Sequence, residues 1–308
     1  MRRDITAFIC GLLVGSVIVI RLHQSFPGYN ASMKRKRSPK ILCFINTRVA
    51  MFEERAIHVQ NTWARRCDEF FFTSVAHHKQ LKVLKIKMPV PEQRSHLWVK
   101  MRIILRKIYK MADEYDYFFK ADDDTYAVVE NLRSAVQDHN PELPFMFGYR
   151  WSVLCPGGYF SGGPGYLLSR AALKRIVEIA IDKHPHCPVI DEDKEDVKMC
   201  LCGQAARVQL LDKYGETGLS LLYPHNLNRF FRWGSKLVEQ NNPDEIYLRQ
   251  KQFGLSEQHI SFHYMDSFSM YMAEFILYHL DPFRDHKNEP VDESKFPKDV
   301  NDDQPDVL

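Results

Sequence analysis

Apolar residues in this chain alternate between short unbroken runs and longer stretches with helical spacing. KILCFINT, Lys40 to Thr47, is an apolar run of strand length, followed by a polar turn and a helix over about residues 53–66. FFFTSV reads as a second strand, and LKVLKIKM alternates with period two, as a half-buried third strand does. From His96 to Ala112, residues Leu97, Met101, Ile104, Leu105, Ile108 and Met111 fall on one helical face. YDYFFKA returns to a strand, and a helix is expected from Leu167 onward, capped near Ser169. This order predicts an α/β fold, with a single open, mostly parallel sheet flanked by helices, in one domain over about residues 40–283. No internal repeat is present. The polar, proline-containing tail 284–308 lacks the apolar residues a core needs and is expected to be disordered.

The N-terminus has a different pattern. After MRRD, residues Ile5 to Ile20 carry no charge, and with Leu22 the run reaches the short edge of what spans a bilayer. A secretory signal would need a small-residue cleavage site, and RLHQSFPGYNAS offers a poor one, so an uncleaved anchor is the better reading. Arg2 and Arg3 precede the span and keep the N-terminus cytosolic. The expected order is therefore a cytosolic tail (1–4), a transmembrane signal anchor (5–22), a stem (23–39) and a lumenal body, and a short span suits a Golgi membrane.

Composition changes this picture little. The net charge of +3 gives no electrostatic argument for nucleic acid, and KRKR (Lys34 to Arg37) behind an anchor reads as a solvated stem. Asn30-Ala31-Ser32 is a glycosylation sequon in that stem. Cys10 lies in the span, and Cys43, Cys67, Cys155, Cys187, Cys200 and Cys202 lie beyond it. An even number in an oxidising compartment points to disulfides, since no second pair accompanies Cys200-x-Cys202 at zinc spacing.

The chemistry begins at FKADDDTYAVV, where three carboxylates follow a buried strand. In open α/β sheets ligands bind beyond the carboxyl ends of the strands. Alternate residues of an extended segment share a side, so Asp122 and Asp124 can converge while Asp123 points aside. Like charges at a buried edge call for a cation, and a hard divalent ion shared with phosphate oxygens satisfies them. A plain turn, with one Asp capping a helix expected to begin near Thr125, is the alternative. An EF-hand is excluded, because Ala127 stands where its glycine would be.

FKADDDTYAVVENL, then GYFSGGPGYLLSRAALKR, EDVKMC and SFHYMDSFSMYMAEFILYHLDPF resemble, in order, the motifs of the core 1 β1,3-galactosyltransferases. The resemblance covers about residues 40–283 and includes HVQNTWARRC and LWVKMR. It implies a GT-A glycosyltransferase fold behind a type II anchor in the Golgi membrane, with the catalytic domain in the lumen, possible homodimers, UDP-galactose as donor, O-linked N-acetylgalactosamine on glycoproteins as acceptor, Mn2+ as cofactor, and inversion at the anomeric carbon. It makes His263 the third metal ligand beside Asp122 and Asp124. It also places Arg94, Lys100, Lys120, Asp123 and Tyr264 around the nucleotide, and pairs Cys43 with Cys67 and Cys187 with Cys200, which leaves Cys155 and Cys202 for each other.

On the acceptor side stand Tyr159, Gly162 and Gly163, whose loop lets backbone pass close to a sugar, and Phe231 and Trp233, whose rings can stack on a pyranose face. Pro164 replaces the family's usual alanine and should stiffen that loop. Residues 225–260 depart from the family's aromatic pattern, which leaves open a related β1,3-glycosyltransferase with another acceptor. Two non-catalytic readings also stand, a chaperone-like homologue and a lectin-like module, though the chaperone-like relative lacks the acidic motif kept here. The base is sought in DEDKEDVKMC. Asp196, at the start of a helix whose dipole favours an anion, is the first choice, and Glu195 the second.

Overall fold

A computed structural model describes residues 37–216, 218–227 and 256–280. The expected span, stem, C-terminal tail, Phe231 and Trp233 lie outside the described residues. Among the described residues no helix is long and apolar enough to cross a membrane.

Strands β1 (Ile41–Asn46), β2 (Glu69–Ser74), β3 (Val83–Lys85), β4 (Tyr117–Asp122), β6 (Phe145–Gly148), β9 (Tyr166–Ser169) and β10 (Gln209–Leu211) form a seven-stranded sheet in the order β10-β6-β9-β4-β1-β2-β3. β1 lies parallel to both β2 and β4, so the first half of the sheet is the parallel array that the sequence predicts. β9 alone runs antiparallel, between β4 and β6, because a hairpin of β7 (Arg150–Trp151) and β8 (Tyr159–Phe160) returns the chain beside the strand it left. Central strands covered on both faces must be apolar on both. β1 and β4 accordingly keep Ile41 to Ile45 and Tyr117 to Phe119 out of water, and Lys120 is the exception.

The helices pack on this sheet: α1 (Ile57–Asn61), α2 (Leu97–Tyr109), α3 (Val129–Val136), α4 (Arg170–Arg175), α5 (Glu195–Ala205) and α6 (Ser267–Tyr278). α2 buries Met101, Ile104, Leu105 and Ile108 of the stripe its periodicity predicts, while Leu97 and Met111 at its ends are only partly buried and Trp98 joins the buried face instead. Three local expectations change. The helix over 53–66 is instead a succession of tight and wide turns around the short α1. Thr62 ends α1 by donating its hydroxyl to the His58 carbonyl (2.8 Å), which turns Trp63 inward to full burial. The helix expected near Thr125 starts only at Val129, since Tyr126–Ala127 forms β5 and pairs antiparallel with β12 (Ser261–Phe262). β12 also pairs in parallel with β11 (Leu222–Tyr223). Leu167 lies in β9, held between Phe119 and Phe147, and the helix starts after Ser169, whose hydroxyl caps it by accepting from the Ala172 N–H (3.1 Å).

Three disulfides staple the domain: Cys43 to Cys67, Cys155 to Cys200 and Cys187 to Cys202. The resemblance pairs Cys187 with Cys200 and leaves Cys155 for Cys202, and the structure exchanges these partners. Cys200 lies beside the turn after Cys155, within 3.0 Å of the Gly158 carbonyl, while Cys202 meets the loop that descends from Cys187.

Candidate active site

β4 ends at Asp122 in a tight turn. The Thr125 N–H donates to the Asp122 carbonyl (3.2 Å), and the Asp122 N–H donates to the Thr125 hydroxyl (3.0 Å). Trp63 clamps the turn through its indole N–H on the Thr125 carbonyl (2.7 Å). The turn reading and the metal reading of DDD are therefore compatible: the fold needs Thr125, and the aspartates remain for chemistry. Asp123 points aside as expected, into a buried site where the Thr47 hydroxyl donates to it at 2.7 Å and Arg55 approaches at 3.4 Å. Burial pushes its carboxyl up to about 6, against the pull of Thr47.

Asp122 and Asp124 turn the other way and meet His263. Their ligand atoms and an imidazole nitrogen all lie within 4.8 Å of one another. His263 comes from far along the chain because β12 pairs with β5, and the Met265 N–H fixes the register on the Asp124 carbonyl (2.9 Å). Its Nε2 lies 3.2 Å from Asp124 Oδ1. Burial opposes ionisation of Asp124, but His263, Arg55 and Lys120 together hold its carboxyl below the usual range. The imidazole fits because residue 163 has no side chain. A Cβ on Gly163 would stand 2.1 Å from the ring.

Tyr264 adopts a left-handed backbone, φ 56°, which costs a non-glycine residue about 1 to 2 kcal/mol. The Asn226 amide secures it at the Tyr264 carbonyl (3.2 Å), and the phenol ring stacks on His263 with centroids 3.7 Å apart, half exposed above the site.

α5 brings the acids of EDV to the same place. Asp196 accepts the Gly162 N–H on Oδ2 (3.0 Å) and its own helix's Val197 N–H on Oδ1 (2.9 Å), in the first turn where the helix dipole favours an anion. It remains partly exposed. Glu195 is buried and spends both oxygens, accepting from Lys120 Nζ (3.0 Å) and from the Tyr166 hydroxyl (3.0 Å). Burial pushes its carboxyl up to about 7 in spite of Lys120.

Lys120 sits inside the sheet edge rather than in the cleft. Its ammonium donates to Asp122 Oδ1 (2.7 Å) and to the Gly162 carbonyl (2.9 Å) besides pairing with Glu195, and these partners keep it protonated against burial. Lys100 is likewise buried, paired with Glu92 at 2.8 Å and donating to the Thr47 carbonyl. It supports the loop that holds Asp123. Arg94 is exposed beside Asp193 at 3.9 Å. Tyr159, on β8, lies close enough to Asp196 that burial and that charge together raise its phenol. Gly162 and Gly163 serve as clearance for Glu195 and His263, a use the sequence did not disclose.

Sequence reasoning missed Arg55, whose guanidinium reaches Asp124 at 3.0 Å, as well as Thr47, Thr125 and Tyr166. Thr47 directly follows β1, an inner strand of the sheet, and that position is a signal the sequence did contain.

No protein-family model matches the chain. Over 267 residues it is 31% identical to glycoprotein-N-acetylgalactosamine 3-beta-galactosyltransferase 1 of Xenopus laevis, a match that covers 84% of this chain and 72% of that protein. Among solved structures, a glycosyltransferase involved in the glycosylation of the major capsid of PBCV-1 aligns with a TM-score of 0.37 and 13% identity, over 59% of this chain and 86% of that one.

Proposed function

Because the chain belongs to the core 1 β1,3-galactosyltransferase family, we propose that it is an inverting, metal-dependent transferase that moves galactose from UDP-galactose in β1,3 linkage onto O-linked N-acetylgalactosamine of glycoproteins. In this reading the domain adopts the GT-A arrangement and works in the Golgi lumen, behind an uncleaved anchor at residues 5–22. The observation that carries the proposal is the convergence of Asp122, Asp124 and His263 beside Asp196, at the carboxyl edge of a mostly parallel sheet.

The donor set fits the cofactor. Asp122, Asp124 and His263 would hold the ion, since one ligand atom from each lies within 4.8 Å of the other two, close enough for all three to share one hard divalent cation. Two carboxylates favour a hard ion and one imidazole admits a transition metal, so Mn2+ satisfies both. When bound, the ion supplies Lewis-acid charge for the departing diphosphate.

The chain's own residues do the rest. Asp196 takes the proton of the acceptor hydroxyl on a carboxylate oxygen as that hydroxyl's oxygen bonds to the anomeric carbon, and the bond from that carbon to UDP breaks on the opposite face. Two backbone N–H groups donate to Asp196 and orient it for this. Asp196 is preferred to Glu195 because it remains partly exposed, whereas Glu195 is buried against Lys120 and Tyr166. In this reading Tyr264, which stacks on His263, lines the donor, and the stacking supports that role.

The test is transfer from UDP-galactose to an α-N-acetylgalactosaminyl peptide, with and without Mn2+, for the native chain and for Asp196→Asn. Native transfer should require the metal, and the variant should lose about two to four orders of magnitude, the worth of a positioned base, while UDP and Mn2+ still bind. Transfer to a different sugar would keep the reaction and replace the acceptor. No turnover with any UDP-sugar would remove the enzyme reading altogether.

A further inference from the structure

We propose that Lys120 and Glu195 form a positioning strut that fixes the base relative to the metal-ligating strand end, so that neither residue touches a substrate. The inference rests on the reading of Asp196 as base. Lys120 is 1% exposed, and its three N–H donors meet three acceptors: Asp122 Oδ1 at 2.7 Å on its own strand, the Gly162 carbonyl at 2.9 Å on the loop, and Glu195 Oε1 at 3.0 Å at the head of α5. No donor is left for a phosphate oxygen, which removes Lys120 from the nucleotide contacts that the resemblance implies. Glu195 is equally committed, since its second oxygen takes the Tyr166 hydroxyl at 3.0 Å from β9.

The Gly162 peptide closes the circuit. Its carbonyl is held by Lys120 and its N–H donates to Asp196, the residue next to Glu195. β4, the glycine loop and α5 are thus tied at one ammonium, with the metal ligand on one side and the base on the other. The loop is tight there, for a Cβ at position 162 would lie 2.6 Å from Glu195 Oε1 and 3.1 Å from Lys120 Nζ. A buried ion pair contributes little net stability compared with apolar residues of the same size. What it supplies here is direction: three polar bonds specify one arrangement, where apolar packing would accept several.

The experiment uses the full chain with Glu195→Gln, and with the double variant Lys120→Met with Glu195→Leu, which removes both charges at once and leaves none buried alone. Thermal midpoint, UDP and Mn2+ affinity by calorimetry, kcat and acceptor KM are measured for each, beside Asp196→Asn. A misplacement of about 1 Å can cost about a hundredfold in rate. The strut therefore predicts a kcat lower by about thirtyfold or more in both variants, with UDP affinity and acceptor KM within about threefold of native. A kcat within threefold of native in either folded variant would overturn it, as would a loss confined to Mn2+ or UDP affinity, which would return Lys120 to the donor site. If Asp196→Asn keeps native transfer while Glu195→Gln abolishes it, the base is Glu195 and both readings fall. If Asp196→Asn is inactive and the strut variants are silent, only the strut does.

Discussion

The tightest single constraint at the residue scale is the missing side chain at Gly163. Its Cα lies so close to His263 that any added carbon must push the imidazole, which no rotamer of residue 163 can avoid, since a Cβ has no freedom of its own. Gly163→Ala should displace His263 and weaken Mn2+ binding by about ten- to a hundredfold, the usual cost of disturbing what orients a metal ligand. Calorimetric titration with Mn2+ alone checks this, and an unchanged affinity would show that the ring can move without leaving the site. Individual residues were legible in the sequence to different degrees. Asp122 and Asp124 stand out because three charges after an apolar strand have few structural uses. The tasks of Gly162, Lys120 and Glu195 were hidden because each includes a contact across 42 residues or more, which no local pattern encodes.

Elements were legible where periodicity decided their form, as in β1, β4 and the stripe of α2, and illegible where side-chain bonds decided it, as at Thr62. The disulfides belong to the second class. Cys200 and Cys202 are two positions apart on α5, so loops on different sides of the helix can claim either, and only the fold assigns them. Trypsin leaves both on the same peptide, between Lys198 and Arg207, so an ordinary map does not separate the two arrangements. Cys155→Ser does. It should free the thiol of Cys200, identified by alkylation and fragmentation of that peptide, while Cys202 stays bonded to Cys187. Removing the bridge should also destabilise the domain by about 2 to 5 kcal/mol, read from denaturant unfolding. Alkylation at Cys202 instead would restore the pairing that the resemblance implies.

At the scale of the whole molecule, the candidate metal site joins the end of β4 to a segment about 140 residues later. The family and the order of its motifs were readable without coordinates, because four motifs in sequence constrain a fold more than any one does. Their convergence was not readable, since it depends on β12 pairing with β5. On the proposed function the ligand set spans the domain, so Mn2+ should bind the native state and not the unfolded chain, and stability should rise with its concentration, by about 2.7 kcal/mol at a hundred times the dissociation constant. Differential scanning should record a rising midpoint for the native chain and none for Asp124→Asn, and equal shifts in both would place the ion elsewhere. The late position of His263 also bears on biosynthesis. A ribosome makes the two carboxylates long before the imidazole, but Arg55 and Lys120, which pair with Asp124 and Asp122, precede both in the chain. The acids of this edge therefore have cationic partners from the protein itself before His263 is made.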